Sequence, residues 1–296
     1  MSVAGSTLAR RALGRELRRL RLEKGMYQAE AARLAETSAQ SISRFEEGRS
    51  TRITSLQVNA LCDAYGATDE ERRILLGLVQ EIRATREYGG RWWRAYVDAE
   101  TPEGFDHYLS LEEAASRLTA WKTTIIPGLL QTPEYRRALA WSEVPQLSPE
   151  AIEGRLEIAA HRQLRLNDPD FRADILLSEA VLHDQVGGPG VMKHQLHHLA
   201  KVAERQNVSL RIVPYASATH LGSLTGSFIL LEFPNLPQSK LNEPPIVYVE
   251  GYVGDLYLER ESEVRRYRAA LAEIARVASG SAQSRQLILD ALREYE

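Results

Sequence analysis

The sequence predicts a multidomain chain, an all-α domain followed by a mixed α/β domain with flanking helices. Three observations carry this. Residues 1–65 resolve into short helical periods separated by turn residues. Apolar, β-branched stretches of strand length appear only beyond residue 170. The formal charge divides with the fold: residues 1–60 hold eleven Arg or Lys against six Glu, a balance of +5, and the rest holds 26 basic against 34 acidic side chains, a balance of −8.

Each element follows from its own residues. Over 8–24, Leu13, Leu17 and Leu20 recur at helical spacing, with Arg10, Arg11, Arg15, Arg18, Arg19 and Arg21 on the remaining surface and Gly25 as a stop. A second helix is expected over 28–35, a turn at Glu36, Thr37 and Ser38, and a third helix over 39–46 ending at Gly48. Two more, over 55–65 and from Asp69 onward, close a small domain whose core is assigned to Leu17, Leu20, Leu34 and Leu61. The last helix has no stop before Tyr88, Gly89 and Gly90, so the domains are placed at 1–85 and 90–296.

In the second domain, Leu111, Ala114, Ala115 and Leu118 predict helix over 107–121. Pro127 and Gly128 break it, and Thr132-Pro133 and Pro149 open two further helices. Strands are expected over 171–177 and 208–213, flanking helices over 178–185 and 190–206. Two more strands fall at 225–233 and 246–252, and a short last one at Tyr257. Helices over 260–277 and 283–294 follow, and the polar stretch 234–245 reads as a long, flexible hairpin connection.

Composition excludes several classes. With 44% apolar and 26% charged residues in 296, the chain is ordinary globular material of two domains, and no apolar run is long enough to span a bilayer. A single cysteine, Cys62, permits no internal disulfide and fits a cytoplasmic setting. No HExxH pattern, Gly-rich phosphate loop or GxSxG elbow is present. His194 and His198 share a helical face but lack a motif for a third ligand, so no enzyme activity, cofactor or metal is expected.

The 28–46 segment carries the chemistry. A helix opened by Gln28, a tight turn, and a helix presenting Ala39, Gln40, Ser43 and Arg44 outward form a helix-turn-helix arrangement, with Ile42 and Phe45 facing inward. Gln pairs bidentately with adenine and Arg with guanine, so Gln40, Ser43 and Arg44 are read as base-contacting, with Ala39 offering only a methyl. Arg10, Arg11, Arg15 and Arg18 are read as phosphate contacts from the first helix.

The run from Tyr27 to Arg49, with Gln28-Ala29-Glu30, Leu34-Ala35, Ser41-Ile42-Ser43-Arg44 and Glu46-Glu47-Gly48, resembles the phage-repressor-like (Xre-type) helix-turn-helix family. The resemblance implies a lambda-repressor-like fold. It also implies that Gln28 binds phosphate and braces the reading helix, and that Arg21 pairs with Glu46. The family's turn glycine is Glu36 here, and Thr37 stands where an apolar residue often follows it.

In the remaining roughly 200 residues, the segments 127–135, Arg162-Gln163, 178–182, Gly187-Gly188, Gln195-Leu196, Val213-Pro214, Gly226-Ser227-Phe228 and 247–250 resemble the domain of unknown function common in antitoxin-like actinobacterial regulators. Ala159 replaces an arginine usual there. The resemblance implies a sequence-specific regulator of transcription that binds double-stranded DNA. The alternatives are an antitoxin-like module that binds a small partner protein and autoregulates, and a regulator that senses a small-molecule effector. Trp92, Trp93, Leu130, Gln131 and Tyr135 are the candidate partner or ligand surface. A homodimer is expected, because one such module reads only a few base pairs, and its contact is placed in the second domain, where Trp92, Trp93, Trp121 and Trp141 lie. No membrane partner is expected, and the chain is placed in the cytoplasm with the nucleoid.

Overall fold

The computed structural model describes residues 4–49, 52–87, 105–236 and 241–295. They divide into two units. The first holds the described residues of Met1–Trp92 together with His107–Ala114 and Phe233–Glu243, and the second holds the remainder. The division is therefore not a single cut in the chain. The described residues of the expected 234–245 connection up to Glu243 belong to the helical unit, together with Phe233, and Trp92 and Trp93 lie outside the described residues.

In the helical unit, α1 (Ala4–Glu23), α2 (Gln28–Leu34), α3 (Ala39–Glu46), α4 (Ser55–Tyr65) and α5 (Asp69–Glu87) follow the expected periods. Leu8, Leu13, Leu17 and Leu20 of α1 are buried, as are Ile42, Phe45, Val58, Leu61, Leu75, Leu78 and Val79 of α3, α4 and α5, the helices that α1 touches. Ser38 caps α3, its hydroxyl accepting from the Ser41 amide at 3.0 Å. Gly14 permits the closest approach in the unit. A Cβ there would stand 2.1 Å from the Phe45 carbonyl oxygen, so α1 and α3 meet backbone to backbone.

Leu34 is not in this core. It is 54% exposed, because α2 buries Ala31 and Ala32, with Ala35 just beyond it, and that choice of face turns residue 34 outward. In the following turn Glu36 takes φ 48°, the left-handed conformation that glycine adopts without strain.

The second unit is an α/β fold. Its sheet has the order β3-β2-β1-β4-β5-β6, built from β1 (Arg117–Lys122), β2 (Arg172–Ser178), β3 (Val208–Val213), β4 (Phe228–Glu232), β5 (Ile246–Val249) and β6 (Leu256–Leu258). β1, β2 and β3 run parallel, and β4, β5 and β6 are antiparallel to their neighbours.

The helix expected over 107–121 ends early. α6 covers Phe105–Ala114, and the chain then becomes β1, a central strand between β2 and β4. Both backbone edges of 117–121 are used there, which overrides a local pattern equally compatible with helix. α7 (Pro133–Glu143) and α8 (Pro149–Gln163) connect β1 to β2, and α9 (Ala180–His183) and α10 (Pro189–Val202) connect β2 to β3. The short α11 (Gly222–Thr225) precedes β4, and α12 (Glu261–Val277) and α13 (Ser281–Arg293) follow β6. Trp121, Leu176, Phe228, Leu230 and Val247 of the sheet pack against Val264, Ala270, Leu271 and Ile274 of α12. Trp121 is 2% exposed and so is core rather than an available contact, whereas Trp141 is half exposed.

Candidate nucleic-acid interface

Two opposite faces of α3 divide its work. Ile42, Phe45 and Glu46 are buried, while Ala39, Gln40 and Arg44 are exposed and Ser43 is half-buried beside them. Glu46 is the anchor. Its two carboxylate oxygens accept from Arg21 Nε and Nη2 at 2.5 and 2.8 Å, and Gln28 Nε2 adds a third bond at 3.0 Å. The carboxylate raises the Arg21 pKa, and Arg21 Nη1 also donates to the Met26 carbonyl at 2.8 Å. One buried carboxylate thus joins the C-terminal part of α1, the start of α2 and the end of α3. Gln28 is half-buried, and this bond commits its amide nitrogen to bracing α3.

The outward face of α3 includes one residue that sequence reasoning missed. Glu47 is exposed at its end, accepts from Ser43 Oγ at 2.8 Å and pairs with Arg49 at 2.7 Å. The Ser43 hydroxyl therefore already has a partner. Glu47 stands three residues from Arg44 and four from Ser43, a helical spacing that would have marked it.

The arginines of α1 do not form one surface. Arg18 is exposed and Arg10 is half-buried. Arg11 is 6% exposed and its Nε donates to Glu243 at 2.7 Å, so its charge is satisfied inside the helical unit, contrary to the expected phosphate role. Arg15 Nη1 donates to both oxygens of the same carboxylate at 3.1 Å. Arg19 binds Glu71, Glu16 and Glu23, which raise its pKa in that order, and Glu71 is held down to about 2, chiefly by Arg19 and then by Thr68. On this unit a cleft of about 400 Å³ is lined by Lys24, Gly25, Met26, Glu30, Arg33 and Leu34.

Leu130, Gln131 and Tyr135, expected as a partner or ligand surface, are buried, at 0%, 3% and 0% exposure. Their segment is a structural turn. Gln131 Nε2 donates to the Ile126 carbonyl at 2.6 Å, and the Ile126 amide donates to Tyr135 Oη at 3.3 Å. Gln195 clamps it from α10, accepting from the Thr132 amide at 2.6 Å and donating to the Leu130 carbonyl at 2.7 Å. Burial pushes the Tyr135 hydroxyl up to about 12. The Glu179 carboxylate accepts the Tyr215 amide at 2.6 Å.

Among the described residues, no group of three or more His, Cys, Asp or Glu is placed to hold a metal ion. His198 is half-buried, and burial lowers its pKa, with Arg205 and Lys201 adding to the effect. No helix among the described residues is long and apolar enough to cross a membrane.

Comparison with known families gives two matches. A model described as a helix-turn-helix domain matches residues 12–75, which span the part of the chain from α1 into α5. A model described as a domain of unknown function, DUF5753, matches residues 105–290, from α6 into α13. No curated protein and no solved structure matches the chain. The helix-turn-helix match supports a DNA-binding regulator.

Proposed function

Because the chain belongs to the DUF5753 family and carries a helix-turn-helix domain ahead of that region, we propose that it is a sequence-specific DNA-binding regulator of transcription, acting in the cytoplasm on the nucleoid. The observation that carries this reading is the exposed face of α3. Ala39, Gln40 and Arg44 project from a helix whose opposite side is locked by Ile42, Phe45 and the Glu46 anchor. A rigid short helix with side chains capable of bidentate pairing on its free face is what major-groove readout requires. Arg18, exposed on α1, offers a phosphate contact, which supplies affinity without sequence information.

Selection of duplexes from a random pool, followed by anisotropy titration, tests the reading. Arg44→Ala or Gln40→Ala is expected to cost about 1–3 kcal/mol on the selected site and much less on a mismatched one, because a base-edge contact is lost. Equal losses on both duplexes would move base readout away from α3.

A homodimer held by the α/β unit completes the proposal, since two reading helices are needed for a useful site. In support, this unit exposes Leu221, Leu224, Tyr252, Val253 and Leu256, and Tyr252 is fully exposed. Aromatic and apolar side chains in such number fit a protein contact. The same observation favours, as a second reading, a small partner protein seated on that unit. Sedimentation equilibrium of the full chain is expected to give twice the monomer mass, and a monomer at all concentrations would favour the partner instead.

A further inference from the structure

The 233–243 segment leaves β4 and re-enters β5, yet it belongs to the helical unit. It is a built feature. Phe233 and Leu236 are buried, and the Leu236 amide donates to the Leu241 carbonyl at 2.9 Å, which closes the segment on itself. It brings two groups to α1. The Phe233 ring centroid lies 5.6 Å from the Arg11 guanidinium carbon, and Glu243 binds Arg11 Nε at 2.7 Å and Arg15 Nη1 at 3.1 Å. The Glu243 side chain has no exposed surface, that of Arg11 is 5% exposed and that of Arg15 is 37% exposed.

One buried carboxylate therefore faces two guanidinium groups. A charge so buried persists only while it is paired, so Glu243 holds both arginines as firmly as they hold it. The cluster also sits beside the end of α3, because a Cβ on Gly48 would stand 2.8 Å from the Arg11 Cα.

We propose that Glu243 is a positioning residue of the DNA-binding unit. By engaging Arg11 and Arg15, it withholds two of the α1 arginines from phosphate, so the salt dependence of binding is set by a carboxylate supplied from the β4–β5 connection. The inference rests on the DNA-binding reading above. Each arginine released to a phosphate adds about 0.9 to the slope of log affinity against log salt. Arg15, already partly exposed, is the first to be released when the carboxylate is neutralised.

The test uses the full chain and a random-sequence duplex, titrated by anisotropy between about 50 and 200 mM salt. Glu243→Gln is expected to steepen the slope by about 1–2 and to tighten random-sequence binding at the low-salt end. Arg15→Ala alone leaves the parent slope unchanged, whereas in the Glu243→Gln background it lowers the slope by about 1. An unchanged slope in Glu243→Gln overturns the proposal, as does a slope lowered by Arg15→Ala in the parent. Should Glu243→Gln fail to give a native helical spectrum, Arg15→Ala in the parent decides alone. A parent chain that binds no duplex overturns the DNA-binding reading and this inference together. A parent that binds, with slopes indifferent to residue 243, overturns only the inference.

Discussion

Replacing Glu46 by Ala is expected to lower the stability of the helical unit by about 3–5 kcal/mol, the cost of leaving a buried charge without its partner. The side chains of Arg21 and Glu46 are 9% and 3% exposed, so water does not replace the lost carboxylate. Arg21 would retain only the Met26 carbonyl, and Gln28 would lose the acceptor of its amide. Urea unfolding of the full chain, followed by helical signal, should show the first transition moving to lower denaturant while the α/β transition stays in place. The double variant Arg21→Met with Glu46→Leu should recover most of the loss, because apolar replacement of a buried pair is often neutral or better. A loss below about 1 kcal/mol in Glu46→Ala would mean that the pair behaves as a surface bridge. DNA binding should fall with the stability and return with the double variant, since Gln40 and Arg44 are untouched by it.

Gln195→Ala is expected to destabilise the α/β unit by about 2–4 kcal/mol. The Gln195 side chain is fully buried and serves two backbone groups, the Thr132 amide and the Leu130 carbonyl. Truncation leaves both without that partner, at about 1–3 kcal/mol for each buried unsatisfied group, and adds a cavity. Gln163 offers the control. Its Nε2 donates to the Gln131 carbonyl at 2.6 Å from a part-buried position, where water can substitute, so Gln163→Ala should cost less. Calorimetric or denaturant unfolding of the two variants ranks them. Equal, small losses would remove the 128–135 turn from the supports of this domain and reopen its reading as a binding surface.

Much of the helical unit was legible in local pattern. The periods of α1 to α4, the turn at Glu36, Thr37 and Ser38 and the inward pair Ile42 and Phe45 needed only spacing and turn chemistry, whereas the Ser38 cap came from the structure. Leu34 was misplaced because two faces of a short, alanine-rich helix have nearly equal apolar claims, and only the packing of Ala31, Ala32 and Ala35 chose between them. The spacing of Leu111, Ala114, Ala115 and Leu118 predicts helix through to residue 121, and strand pairing on both edges of 117–121 overrides it. In the 127–135 segment, aromatic and amide side chains look alike to a sequence reader whether they face a partner or a backbone.

By itself the sequence determined the order of a helical and an α/β domain, the basic bias of the first, and a short helix over 39–46 with Gln40 and Arg44 on its free face. Those features depend on side-chain chemistry and spacing within a few turns. Only the tertiary structure decided which charges are available. Arg11, Arg15 and Arg18 are adjacent on one helix and alike in sequence, yet a carboxylate from residue 243 engages two of them and leaves Arg18 exposed. The reason is distance along the chain: an ion pair between residues 232 positions apart leaves no local pattern, and it forms only when the fold closes the connection between β4 and β5 onto α1.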